Sequence, residues 1–159
     1  MPAWSHGPIG PEASDLSDDV RRIFQDLERQ AGRPATAAVG QCTPPLDVLE
    51  TDETVEIVVD LPGIDPASMR VVLKGGLVVV AGEKRSAPPA GTGAGDFHLV
   101  ERGFGRFARA VRVASAFDGG RVTATLADGE LRIVLPRIHD RRGQPRQVAI
   151  ETRPADPRG

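Results

Sequence analysis

Two periodicities divide the chain. Leu16, Val20, Ile23, Phe24 and Leu27 recur at i, i+4, i+7, i+8 and i+11, the spacing of one helical face. Asp18, Asp19, Arg21, Arg22, Asp26, Glu28 and Arg29 fill the positions between them. The pattern predicts an amphipathic helix over 15–31. Ser14 or Ser17 is its expected cap, Asp18 and Asp19 suit the positive end of the helix dipole, and Gly32 and Pro34 stop it. A helix of about four turns is marginal alone in water, so its apolar face must find a partner.

From Leu46 to Pro136 the period falls to two. Residues 46–50, 54–61, 69–74, 77–81, 107–113, 122–126 and 131–135 are strand-like, rich in Val, Leu and Ile. Between them lie the turn formers Asp52-Glu53, Pro62-Gly63, Gly75-Gly76, Gly119-Gly120 and Asp128-Gly129. Gly75-Gly76 and Asp128-Gly129 are two-residue hairpin signals. No long helical pattern separates the strands, which excludes parallel βαβ winding. Seven short strands joined by tight turns predict an all-β fold, an immunoglobulin-like antiparallel β-sandwich.

One stretch breaks this rhythm. Residues 84–96 (KRSAPPAGTGAGD) form a low-complexity excursion, followed by Phe97-His98-Leu99-Val100, which reads as a short strand. Long loops that carry their own strand tend to be functional. Residues 1–13 are rich in Pro and Gly and read as disordered, and 34–45 reads as a linker. The expected organisation is an N-terminal arm (1–44) holding the helix, a sandwich (45–137) and a flexible C-terminal extension (138–159).

Composition narrows the partners. Of 159 residues, 40% are hydrophobic and 26% charged, with a net charge of −2; mean hydropathy is −0.22. Such a chain suits one soluble domain with arms and is no evident partner for nucleic acid or an acidic membrane. Residues 137–159 carry six arginines against three acidic residues, a local excess of +3. No aromatics interleave with them, so the segment reads as a solvated extension rather than a nucleic-acid arm. Cys42 is the only cysteine, which excludes an intramolecular disulfide and suits a reducing compartment. The start MPAWSHGPIG lacks the charged head and apolar run of a secretory signal. The longest apolar run, Leu77 to Ala81, is too short to span a bilayer. The expected location is cytoplasmic.

Four stretches carry a family resemblance: Val59-Asp60-Leu61-Pro62-Gly63-Ile64; Leu99-Val100-Glu101-Arg102 with Gly105, Phe107 and Arg109; Ala124 through Asp128-Gly129, Leu131, Ile133 and Leu135-Pro136; and Pro145-Arg146-Gln147-Val148-Ala149-Ile150. In this order and spacing they resemble the small heat-shock (alpha-crystallin) family, bacterial type, from Pro45 to Ile150. Two departures stand out. Val113-Ala114-Ser115 replaces the family's usual Leu-Pro after the arginine-containing strand, and the 84–96 loop is poor in charge.

The resemblance implies an ATP-independent holding chaperone. Its partners would be unfolding client proteins and copies of itself, as homodimers and higher homo-oligomers, with no cofactor. Alternation places Phe107, Arg109, Val111 and Val113 on one face, and a guanidinium among apolar neighbours needs a carboxylate. Glu101 is the candidate. The resemblance implies that the 97–100 strand crosses to a neighbouring subunit, which makes Glu101–Arg109 an inter-subunit pair at a dimer interface. The alternative is an Arg109 on an exposed sheet face with no special role. Val148 and Ile150 share one face of an extended segment that can add to a sheet edge on another subunit. A final strand docked on its own domain is the other reading. Leu16, Val20, Ile23, Phe24 and Leu27, with Trp4 and Ile9, form the expected client-binding surface, unless that face only packs inside the oligomer.

Enzyme readings lack parts. His6, His98 and His139 show no metal-ligand spacing. Gly103-x-Gly105 precedes a strand rather than a helix, against a phosphate cradle. Asp47, Glu50, Asp52 and Glu53 read as a solvated acidic edge. No catalytic, metal or cofactor-binding residue is therefore assigned. Two rivals remain: a CS-type co-chaperone or scaffold sandwich binding a specific folded partner, which should be monomeric, and a small sandwich enzyme.

Overall fold

The computed structural model describes residues 12–32, 42–85 and 95–139. One helix, α1 (Glu12–Ala31), precedes seven strands: β1 (Leu46–Glu50), β2 (Thr54–Asp60), β3 (Met69–Lys74), β4 (Leu77–Lys84), β5 (Gly105–Arg112), β6 (Thr123–Ala127) and β7 (Glu130–Pro136). They form a four-stranded sheet in the order β1-β2-β7-β6 and a three-stranded sheet in the order β3-β4-β5. All pairings are antiparallel. The expected sandwich is present.

Alternation explains its core. Val55, Ile57 and Val59 of β2 and Leu131, Ile133 and Leu135 of β7 point inward from the first sheet. Met69, Val78, Val80 and Phe107 meet them from the second, with Val113 just beyond β5. Phe107, Ile57, Leu131, Ile133 and Leu135 are among the most completely buried side chains. Two of the motifs touch one another here. The Leu61 N–H donates to the Gly129 carbonyl at 2.7 Å. A Cβ added at Gly129 would lie 3.1 Å from the Pro62 Cα. Asp128 and Gly129 take φ of 51° and 82°, the positive pair that a tight two-residue hairpin needs.

The helix begins at Glu12, ahead of the expected start at Asp15. Glu12 and Ala13 have high helix propensity and extend it. Ser14 and Ser17 consequently lie inside the helix rather than at its cap. Strands β4 and β5 also run longer than the alternation suggested. By contrast, Phe97–Val100 is not a strand in the single chain, because no described segment offers it a ladder. After β5 the departure from Leu-Pro is accommodated simply. The Val113 N–H donates to the Gly76 carbonyl at 2.8 Å, and the Ser115 hydroxyl bonds Glu50.

The sandwich carries a third layer. α1 lies on the outer face of β3-β4-β5. Asp19 meets Lys74 while Gln30 meets Arg70, so the helix runs antiparallel to β3 and along β4. Among the described residues no helix is long and apolar enough to cross a membrane.

Candidate functional site

The apolar face of α1 has found its partner within the chain. Ile23, Phe24 and Leu27 are buried, and Leu16 and Val20 partly so, against Val79 and Ala81 of β4, with Val72, Leu77, Ala108 and Ala110 around them. The side chains that alternate away from the sandwich core therefore make a second core. β4 is apolar at both parities and is covered on both faces. The five residues expected to bind clients are thus brought together, and in this arrangement the chain's own sheet covers them.

Polar contacts frame the seam. The Lys74 Nζ lies 2.9 Å from Asp19 Oδ2. Arg106 of β5 pairs with Glu28, and Arg70 bonds Gln30. Arg106 also stacks its guanidinium on Phe24, 4.8 Å from the ring centroid. The Arg106 side chain is only 15% exposed. Its Nε, buried, has no hydrogen-bond partner among the described residues. The sequence marked neither Arg106 nor Lys74 as a site residue. The signal was the apolar run Leu77–Ala81, which requires cover on both sides.

Arg109 does face the sandwich interior, between Phe107 and Val111. Its Nη1 donates to the Pro44 carbonyl at 2.7 Å. Pro44 is buried and Cys42 packs on the main core, so Arg109 fastens the segment entering β1. Glu101 is exposed and stands apart from this bond. The pairing expected of the two concerns different subunits.

Phe97, Leu99 and Val100 are 71%, 73% and 67% exposed, a concentration of apolar surface on one short segment. The tail residues Val148 and Ile150, like Trp4 and Ile9, lie outside the described residues. Arg137, counted with the basic tail, is instead anchored. Its Nη1 donates to the Thr51 carbonyl at 2.6 Å and its Nη2 lies 3.4 Å from Glu50. Glu50, exposed on the acidic edge that the sequence marks, is also an ion-pair partner. Among the described residues no group of three or more His, Cys, Asp and Glu side chains could hold a metal ion. His98 and His139 are both exposed.

Comparison with known proteins agrees with this architecture. The model of the Hsp20/alpha crystallin family matches residues 47–151. A 21.9 kDa heat shock protein of Oryza sativa is 38% identical over 129 residues, covering 76% of this chain and 61% of the rice protein. Heat shock protein 16 of Schizosaccharomyces pombe is 27% identical, over 83% of this chain and 92% of the relative. The chain thus spans about three fifths of the rice relative and nearly all of the yeast one. Among solved structures, heat shock protein 16.0 from Schizosaccharomyces pombe superimposes with a TM-score of 0.58 at 28% identity, over 69% of this chain and 99% of that one. A small heat-shock protein from Xylella fastidiosa gives the same TM-score and identity, over 71% of this chain and all of its own. These relatives are all heat-shock proteins, which leaves the CS-type reading without support. The chain belongs to the Hsp20/alpha crystallin family, the non-enzymatic small heat-shock chaperones.

Proposed function

We infer that this protein is an ATP-independent holdase: it binds unfolding proteins through apolar surface and prevents their aggregation, working from a homodimer-based oligomer in the cytoplasm. The observation that carries the reading is the exposed apolar segment Phe97-Leu99-Val100, which belongs to neither of the two paired sheets. Exposure of this concentration suits an interface rather than a solvated loop.

In this reading the segment crosses to a second subunit and brings Glu101 to the partner's Arg109. Arg109 already faces inward, and a charge so placed gains from a carboxylate. Val148 and Ile150 join dimers into larger assemblies by adding to a sheet edge. Burying each is worth roughly 1.5–3 kcal/mol before ordering of the spacer is subtracted. One such contact is weak, so assembly relies on many acting together and allows subunit exchange. The apolar face of α1 contributes to client binding after it leaves its sheet. The Xylella fastidiosa protein is described as having a distinct high order structure, and a large assembly is what the tail proposal expects of this chain.

The test is suppression of thermal aggregation of a model protein without nucleotide, beside light scattering for assembly size. Suppression by a multi-subunit species supports the reading. A lone monomer that leaves aggregation unchanged overturns it.

A further inference from the structure

What lies beneath α1 has the form of a receptor for a helix. The outer face of β3-β4-β5 is a trough of Val72, Leu77, Val79, Ala81, Ala108 and Ala110. Its three alanines keep the floor low, so a helix can approach the strands closely. Its rim is basic: Arg70 and Lys74 stand on the β3 side and Arg106 on the β5 side. α1 answers both features, with an apolar stripe for the floor and Asp19, Glu28 and Gln30 for the rim.

Nothing in that complementarity is peculiar to the sequence of α1. Apolar contact is non-directional, and the rim asks only for flanking acceptors, carboxylates at Lys74 and Arg106 and an amide oxygen at Arg70. We propose that the outer face of β3-β4-β5 is itself a client-binding surface. It takes an amphipathic helix with acidic flanks, and α1 occupies it as an intramolecular competitor. The proposal rests on the holdase reading and adds the class of segment that is held. α1 is attached to the domain by a short stretch of chain, so it competes at an effective concentration on the order of millimolar. External helices are therefore excluded while α1 keeps its grip, and admitted when it is released. Two surfaces become available together, the stripe of α1 and the trough it leaves.

The experiment uses the full chain carrying Ile23→Ser, Phe24→Ser and Leu27→Ser, which removes the grip of α1 while leaving the trough intact. Two fluorescein-labelled peptides serve as anisotropy probes. One is residues 12–32 of this chain. The other is an unrelated helix of similar length with leucines at i, i+4, i+7, i+8 and i+11 and glutamates beside them. Both are expected to bind the triple variant at roughly ten-fold lower concentration, or better, than the unaltered chain, because a tethered competitor is gone. Replacing the glutamates by lysines should weaken binding by about the same factor, as like charges meet on the rim. Lys74→Glu in the triple-variant background should reverse that preference. Its side chain is 56% exposed, so this change tests the rim without disturbing the fold.

Equal binding to the unaltered and triple-variant chains overturns the competitor. Indifference to probe charge overturns the basic rim. Binding of the 12–32 peptide alone would mean that the trough exchanges helices between copies of this chain, which overturns the client assignment. Aggregation suppression by the unaltered chain is measured beside these. If suppression is absent while probes bind as expected, the holdase reading fails and a helix receptor remains. If suppression is present while no probe discriminates, the holdase reading stands and the trough proposal fails.

Discussion

Truncating Phe24 to alanine separates the helix from the sandwich, and its size can be worked from the contacts. Ile23, Phe24 and Leu27 are 6%, 5% and 9% exposed. At ~1.5–3 kcal/mol for each buried side chain, docking of α1 gains ~4–9 kcal/mol. Against it stands helix nucleation; an initiation constant of ~0.001 corresponds to ~4 kcal/mol. Net docking is therefore ~0–5 kcal/mol. Removing a buried phenylalanine ring costs ~3–5 kcal/mol, enough to cancel it. Phe24→Ala should release α1 in most molecules and leave the core around Phe107 and Ile57 untouched.

Hydrogen exchange followed by mass spectrometry reads this directly. Amides of α1 should lose their protection while those of β7 keep theirs. Trypsin should gain access to Arg21, Arg22 and Arg29. The sharper expectation is saturation. Once α1 has left, adding Ile23→Ala and Leu27→Ala should lower stability no further, because the contacts they remove are already gone. Were helix and sandwich one cooperative unit, each further truncation would cost ~2–5 kcal/mol more. A triple variant clearly less stable than Phe24→Ala in urea unfolding would refute the reasoning.

Other expectations concern the sandwich and its assembly. A Cβ at Gly82 would lie 2.6 Å from the Ser68 carbonyl oxygen and 2.7 Å from the Met69 Cβ; Gly82→Ala should therefore destabilise by ~1–3 kcal/mol through overpacking. An unchanged urea midpoint would contradict that geometry. Arg109→Glu should break the dimer in sedimentation velocity, and adding Glu101→Arg should restore it; a dimer that survives the single reversal means the pair is not structural. Val148→Ala with Ile150→Ala should reduce large assemblies to dimers or small species by light scattering, and persistence of the large form would exclude the tail from assembly.

The sandwich was legible because each inward strand face alternates cleanly and each hairpin carries its own turn chemistry. β1 and β3 have the bounds their alternation predicts. β5 begins at Gly105, earlier than expected, because Arg106 serves the helix side and has the look of an ordinary polar position. Gly82 reads as the end of β4, yet the close approach of Ser68 and Met69 is what requires glycine there. The seat of α1 is written in Leu77, Val79 and Ala81, whose parity is opposite to that of Val78 and Val80. A run apolar at both parities is buried on both faces, which its length alone does not reveal. The partner that Arg109 has within its own chain could not be read. A backbone carbonyl at Pro44 leaves no mark in side-chain pattern, whereas Glu101 stands out by its charge.

Strand β4 shows what the third layer protects. Leu77-Val78-Val79-Val80-Ala81 is uncharged, free of proline and strongly β-prone, the composition of segments that stack into amyloid-like sheets. Both of its edges are hydrogen-bonded, so its vulnerability is the face under α1. Departure of the helix would bare this adhesive stretch. The helix is thus a gatekeeper against self-poisoning, and a permanently open variant should precipitate sooner in storage than the native chain.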